Sequence, residues 1–85
     1  MSQHKTLEQL KPGEAGVVFK VEGEDEVALR LSDLGFWPGT RVVVVRRAPL
    51  GDPVHYQLRG FDLALRSNEA RRVLVSLETE VVADE

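Results

Sequence analysis

The 85-residue chain has no cysteine, which excludes a disulfide scaffold, thiol catalysis, cysteine-ligated zinc and cysteine-held iron–sulfur clusters. Histidine is scarce: His4 and His55 stand far apart in sequence, so no closed four-ligand metal site can be assembled, and no metal and no cofactor are expected. Aromatic residues make up 6% of the chain, too few for the aromatic-lined groove that proline-rich ligands need. No apolar run approaches the length that crosses a bilayer, and Met1-Ser2-Gln3-His4-Lys5 is polar where a secretory signal would be apolar; a soluble, cytoplasmic protein is expected. Glycine-rich phosphate loops of the nucleotide-binding kinds are also missing. Ser32, Ser67 and Ser76 show no spacing toward either histidine that would support nucleophilic catalysis, and Glu24, Asp25 and Glu26 lie in a turn, where burial cannot raise a carboxyl pKa. No enzyme is expected. At this length the chain forms one domain, 1–85, with a core over about residues 6–77 and an acidic tail at 78–85.

The net charge of −3 argues against a general polyanion binder, but its distribution is uneven. From Arg41 to Arg72 there are seven arginines and three acids, a local excess of four positive charges, while both flanks are acidic. Eight of the eleven basic residues are arginine, which suits carboxylate pairing and specific docking.

Thr6 to Gly13 places Leu7 and Leu10 three apart before Pro12-Gly13, as a single turn or lead-in segment would. Ala15 to Val21 alternates, with Val17, Phe19 and Val21 on one side and Val18 and Lys20 on the other, predicting a strand. Val27, Leu31 and Leu34 then recur at helical spacing; about three turns of helix are expected, ended by Gly35 and followed by a Pro38-Gly39 turn. The run Val42 to Val45 predicts a strand covered on both faces. Ala48 to Pro53 reads as an exposed loop with a restricted backbone. Val54, Tyr56 and Leu58 alternate with His55, Gln57 and Arg59, and Gly60-Phe61 suits a tight type II′ hairpin into Asp62 to Arg66. Ser67 would cap a short helical turn, and Arg72 to Leu77 closes the fold. Five short strands with one inserted helix predict a mainly β fold, a small, strongly bent barrel without a large cavity.

Leu31, Leu34-Gly35-Phe36, Pro38-Gly39, the valine-rich strand, Ala48-Pro49-Leu50-Gly51-Asp52-Pro53, Leu65-Arg66 and Glu69-Ala70 follow one another in an order and spacing that resembles the FeoA family of bacterial ferrous iron transport. The likeness spans about residues 6–77. It implies an SH3-like β-barrel in the cytoplasm, beside the GTP-binding membrane protein FeoB, acting as an accessory module of transition metal ion uptake and not as pore or GTPase. FeoB's cytoplasmic region would be the partner, so the chain would meet the membrane only through it. A similar barrel closes iron-dependent repressors of the DtxR type, but no helix-turn-helix precedes the barrel here. Carried over position by position, Gly35, Pro38 and Gly39 match the family's turn residues, with Gly60 a further turn of this chain. Pro49, Leu50, Gly51, Asp52 and Pro53 match a loop placed where SH3-like barrels carry binding loops. Arg66 and Glu69 match polar positions that can also pair locally.

Two alternatives stand beside this reading: a metal-responsive regulatory domain related to the repressor barrel, and a small-barrel nucleic-acid binder using Arg46, Arg47, Arg59, Tyr56 and Phe61. Direct nucleic-acid binding is not expected, because Tyr56 shares its strand face with Val54 and Leu58. Phe36 continues the apolar side of the helix and should turn inward, leaving Trp37 either as an exposed anchor for a partner or for weak self-association, or as a lid over Val43 or Val45.

Overall fold

Val54, Tyr56 and Leu58 are at most 2% exposed, whereas Gln57 and Arg59 are open to solvent, so the period of two is realised as strand in the computed structural model, which describes residues 4–78. Six strands form, β1 (His4–Thr6), β2 (Ala15–Val21), β3 (Arg41–Arg47), β4 (Val54–Leu58), β5 (Phe61–Leu65) and β6 (Val73–Leu77), with helix α1 (Glu26–Leu34) between β2 and β3 and the short helix α2 (Ser67–Ala70) between β5 and β6. They make one antiparallel sheet in the order β1-β6-β2-β3-β4-β5. The inner faces converge on a core of Val18, Val42, Val44, Tyr56, Leu65 and Val75, joined by Leu31 and Phe36 from the helical side. The strand beyond the expected five is β1, where His4, Lys5 and Thr6 pair with Ser76, Val75 and Leu74. His4 is therefore held in the sheet, its imidazole stacked on Phe19 at 4.1 Å.

Leu7 and Leu10 explain the lead-in segment: a 3₁₀ turn at Leu7–Gln9 sinks both leucines to zero exposure, where they plug one end of the core. Helix α1 spans nine residues, about two and a half turns. Its N-cap is Asp25, whose carboxylate accepts the Ala28 N–H at 3.2 Å and the Arg72 guanidinium at 2.7 and 2.9 Å. Gly35 ends it at φ 108°, a left-handed conformation that costs glycine little. Trp37 to Thr40 then forms a turn with Pro38 second, Gly39 third at φ 95°, and the Thr40 N–H donating to the Trp37 carbonyl at 2.9 Å, the type II pattern.

Three local expectations are corrected. Val45 is 46% exposed, so the valine run is not covered on both faces: Val42 and Val44 alternate inward and Val45 falls on the outer face, and a register shift between Val44 and Arg46 keeps Arg46 outside as well. The β4–β5 hairpin turns on Arg59 and Gly60, both at positive φ (52° and 86°), which is a type I′ turn and not a II′ turn at Gly60-Phe61. Ser67 is the first residue of α2 rather than its cap, and its N–H is met by the Asp52 carboxylate at 2.8 Å. On β2 Val18 points inward and its neighbour Phe19 is 47% exposed on the outer face; a second shift between Val18 and Lys20 leaves Lys20 exposed as well.

Candidate partner-binding site

The loop from Ala48 to Pro53 joins β3 to β4, and its shape follows from its two prolines and one glycine. Pro49 and Leu50 occupy the centre of a turn closed by the Gly51 N–H donating to the Ala48 carbonyl at 2.7 Å. Gly51 takes φ 94°, and the Asp52-Pro53 peptide is cis. The Ala48 N–H donates across the base to the Pro53 carbonyl at 3.0 Å. Leu50 is left at the tip, 96% exposed, the most exposed large apolar residue among those described.

Two side chains fasten this loop to the barrel. The Arg47 guanidinium donates to the Gly51 carbonyl at 3.1 Å and to the Glu8 and Leu10 carbonyls at 3.0 and 3.2 Å, tying the loop to the 3₁₀ turn. Asp52 accepts from the Ser67 N–H and lies 3.7 Å from the Arg66 guanidinium, tying the loop to α2. An exposed leucine on a rigid support suits docking, because little loop entropy remains to be lost on binding.

Trp37 sits elsewhere. Its indole N–H donates to the Ser32 carbonyl at 2.7 Å, and the Arg59 guanidinium lies over the ring at 4.4 Å from its centroid. The ring is 44% exposed and is fastened to the end of α1 and the β4–β5 turn, while Val45 stays uncovered. Phe36 is 1% exposed and points inward. Since β3 separates the Trp37 turn from the loop, the two lie about 20 Å apart, at opposite ends of the strand. The structure thus gathers Pro49, Leu50, Gly51, Asp52 and Pro53 at one end of the barrel and does not bring Trp37 to them.

Arg66 and Glu69 do not pair through their side chains. The Arg66 N–H donates to Glu69 at 2.9 Å, and the Glu69 carboxylate takes the guanidinium of Arg30 from α1. Burial opposes ionisation of Glu69, but these two bonds outweigh it and hold the carboxyl below its usual range. The residues considered for nucleic acid do not form one surface either. Tyr56 is fully buried, Arg47 is engaged by the loop, and Arg46 and Arg59 stand at opposite ends of β4. Among the described residues no three His, Cys, Asp or Glu side chains gather as metal ligands, and no helix is long and apolar enough to cross a membrane. The residue missed by the sequence reading is Arg47 as the loop's anchor. Its acceptors at Glu8 and Leu10 lie 39 and 37 residues away, and only the folded register brings them near.

Comparison with known proteins bears on the family and the fold. The sequence model of the FeoA domain matches residues 5–77. An Fe(2+) transport protein A/Fe(2+) transporter FeoB fusion protein of Porphyromonas gingivalis is 35% identical over 71 residues, covering 84% of this chain and 8% of that protein. The chain therefore spans a small fraction of the curated relative it matches. The solution structure of a FeoA-like protein from Clostridium acetobutylicum superposes with a TM-score of 0.88 at 30% identity, covering 99% of this chain and 98% of that one. FeoA of Stenotrophomonas maltophilia, complexed with zinc and described as a prokaryotic SH3 domain protein, gives 0.75 at 37% identity over 84% and 88% of the two chains. A manganese-dependent transcriptional repressor shares only the fold, at 17% identity. With the family model covering nearly every described residue and the SH3-like barrel shared throughout, the chain belongs to the FeoA family of ferrous iron transport.

Proposed function

We propose that this protein is a non-enzymatic, cytoplasmic accessory module, one domain over 1–85, that docks through its 48–53 loop onto the cytoplasmic part of FeoB and modulates Fe(II) uptake. The observation that carries this reading is the relative in which the two components occur as one polypeptide, which keeps them at high effective concentration. The loop supplies a contact of the right kind: an apolar tip, Leu50, stiffened by Pro49 and Pro53 and held by Arg47 and Asp52. Trp37, at the other end of the barrel, would offer a second, separate contact.

The test is calorimetry of this protein with the cytoplasmic region of FeoB, with and without guanine nucleotide and Fe(II), alongside Fe(II) uptake in a deletion strain. Saturable binding is expected, weakened by about 1–3 kcal/mol in Leu50→Ala. No interaction under any of these conditions, together with unchanged uptake, would overturn the proposal.

A further inference from the structure

A groove of about 400 Å³ opens between the end of β2 and α1, floored by Ala28 and Phe36 and edged by Val21, Leu29 and Pro38. Ala28 and Phe36 are 7% and 1% exposed, while Leu29 stands 63% exposed on the lip. The groove is thus an apolar slot whose edge also carries Lys20, Glu24 and Ser32. Glu24 lines it, Glu26 and Asp33 flank Leu29 one helical turn to either side on α1, and Glu22 follows Val21; all four are exposed, and none of their carboxylates is paired among the described residues. The neighbouring bases are largely engaged: Arg72 holds Asp25 and Arg30 holds Glu69, which leaves Lys20 at the edge. The acidic excess therefore lies on the α1 side of the slot, from Glu22 to Asp33.

The opposite end of the barrel carries the complement. Leu50 projects alone from its fastened loop, with Arg46 and Arg66 exposed at the loop's base and Arg47 within it, against Asp52 and the half-buried Glu8. Because β2 and β3 run antiparallel, with Val17 opposite Arg41, the groove lies beyond the Arg41 end of β3 and the loop beyond the Arg47 end. The two features cannot meet within one molecule.

We propose that the groove receives the Leu50 loop of a second copy of this chain, in a head-to-tail contact in which the basic base of the loop faces the acidic rim of the groove. Two different patches meet in such a contact, so it is heterologous and joins further copies into a ring or a short open chain. One leucine, one proline and a few charge pairs bury less surface than a stable interface, so the association is weak and salt-sensitive. The inference does not rest on docking to the transporter, although both use Leu50, so assembly of copies would compete with that docking.

Sedimentation of the full chain over a concentration series up to about 1 mM, the range where contacts of this size are populated, provides the test. Reversible association is expected, weakening as salt rises. Leu50→Glu and Leu29→Glu each alter an exposed side chain and leave the fold intact. Each variant alone should associate at least about tenfold more weakly than the parent, the loss expected when a central anchor is removed. An equimolar mixture of the two should recover a dimer and nothing larger, because Leu29→Glu retains the loop and Leu50→Glu retains the groove. A parent that stays monomeric throughout, an association that survives Leu50→Glu, or a mixture that fails to recover the dimer would each overturn the proposal.

Discussion

Replacing Arg47 by methionine keeps most of the aliphatic stem and removes the guanidinium that ties the loop to the 3₁₀ turn. Three hydrogen bonds are lost, at 3.0, 3.1 and 3.2 Å, each from a charged donor to a backbone carbonyl. At about 1.5–3 kcal/mol each they set a gross ceiling of about 5–9 kcal/mol. Arg47 is only half-buried, so water satisfies part of the loss at once, and releasing the side chain returns up to about 2 kcal/mol of rotamer entropy. A net destabilisation of about 2–4 kcal/mol is expected, read as a lower urea midpoint at unchanged m-value. Leu50→Ala, in contrast, removes a side chain that is 96% exposed and should change stability by less than about 0.5 kcal/mol while weakening transporter docking. Hydrogen exchange at the Gly51 amide, which closes the loop's turn, should speed up in Arg47→Met and stay unchanged in Leu50→Ala. An Arg47→Met protein within about 0.5 kcal/mol of the parent would refute the claim that this guanidinium holds the loop.

Tyr56 is fully buried, and its hydroxyl has no hydrogen-bond partner among the described residues; burial pushes its pKa up to about 12. Since the folded value lies above the unfolded one of about 10, stability is intact below pH 10 and about 2–3 kcal/mol of it is lost as pH rises through 12; Tyr56→Phe should remove that loss while changing neutral-pH stability by no more than about 1 kcal/mol. At the acid end, the Arg72 hydrogen bond lowers Asp25 and the Arg41 hydrogen bond lowers Glu78, so stability present at neutral pH declines as pH falls below about 4, and Asp25→Asn should flatten this limb of a pH–melting series. Arg59→Ala uncovers the Trp37 ring, costs about 0.5–1 kcal/mol, and should move the fluorescence of the sole tryptophan to the red. A chelator should leave the thermal midpoint unchanged; a fall of many degrees would reveal a structural metal.

Wherever a short window carried a complete physical signal, the fold was legible in the sequence. The alternation of Val54, Tyr56 and Leu58 located β4 and its inward face, and Gly35 marked the end of α1. Leu50 at the head of a proline-stiffened loop was legible for the same reason. The three residues of β1 have no apolar period of their own and become strand only by pairing with β6. Two register shifts, just beyond Val18 and Val44, leave Lys20 and Arg46 exposed where a strict alternation would turn them inward, and nothing in the local pattern announces either. Arg59 occupies a left-handed position usually given to glycine or asparagine, so the residue types point to a turn one residue later than the one that forms. The loop's ties were illegible because they are long-range. Nothing near Asp52 indicates that its carboxylate caps Ser67, fifteen residues on. The separation of Trp37 from the loop likewise depends on which end of β3 each one joins.

The pairing of β1 with β6 sets His4 directly across from Ser76. The polypeptide thus enters and leaves the barrel at neighbouring points, about 5 Å apart, on one side of the sheet. A module threaded this way can be spliced into a longer protein, or attached in front of one, without either connection crossing the loop end or the Trp37 turn. For the same reason a bridge of a few residues could join Leu77 to His4 and the chain could be reopened at Arg59-Gly60, giving a permuted protein that keeps both faces. Evolution and engineering can therefore treat this barrel as a movable part.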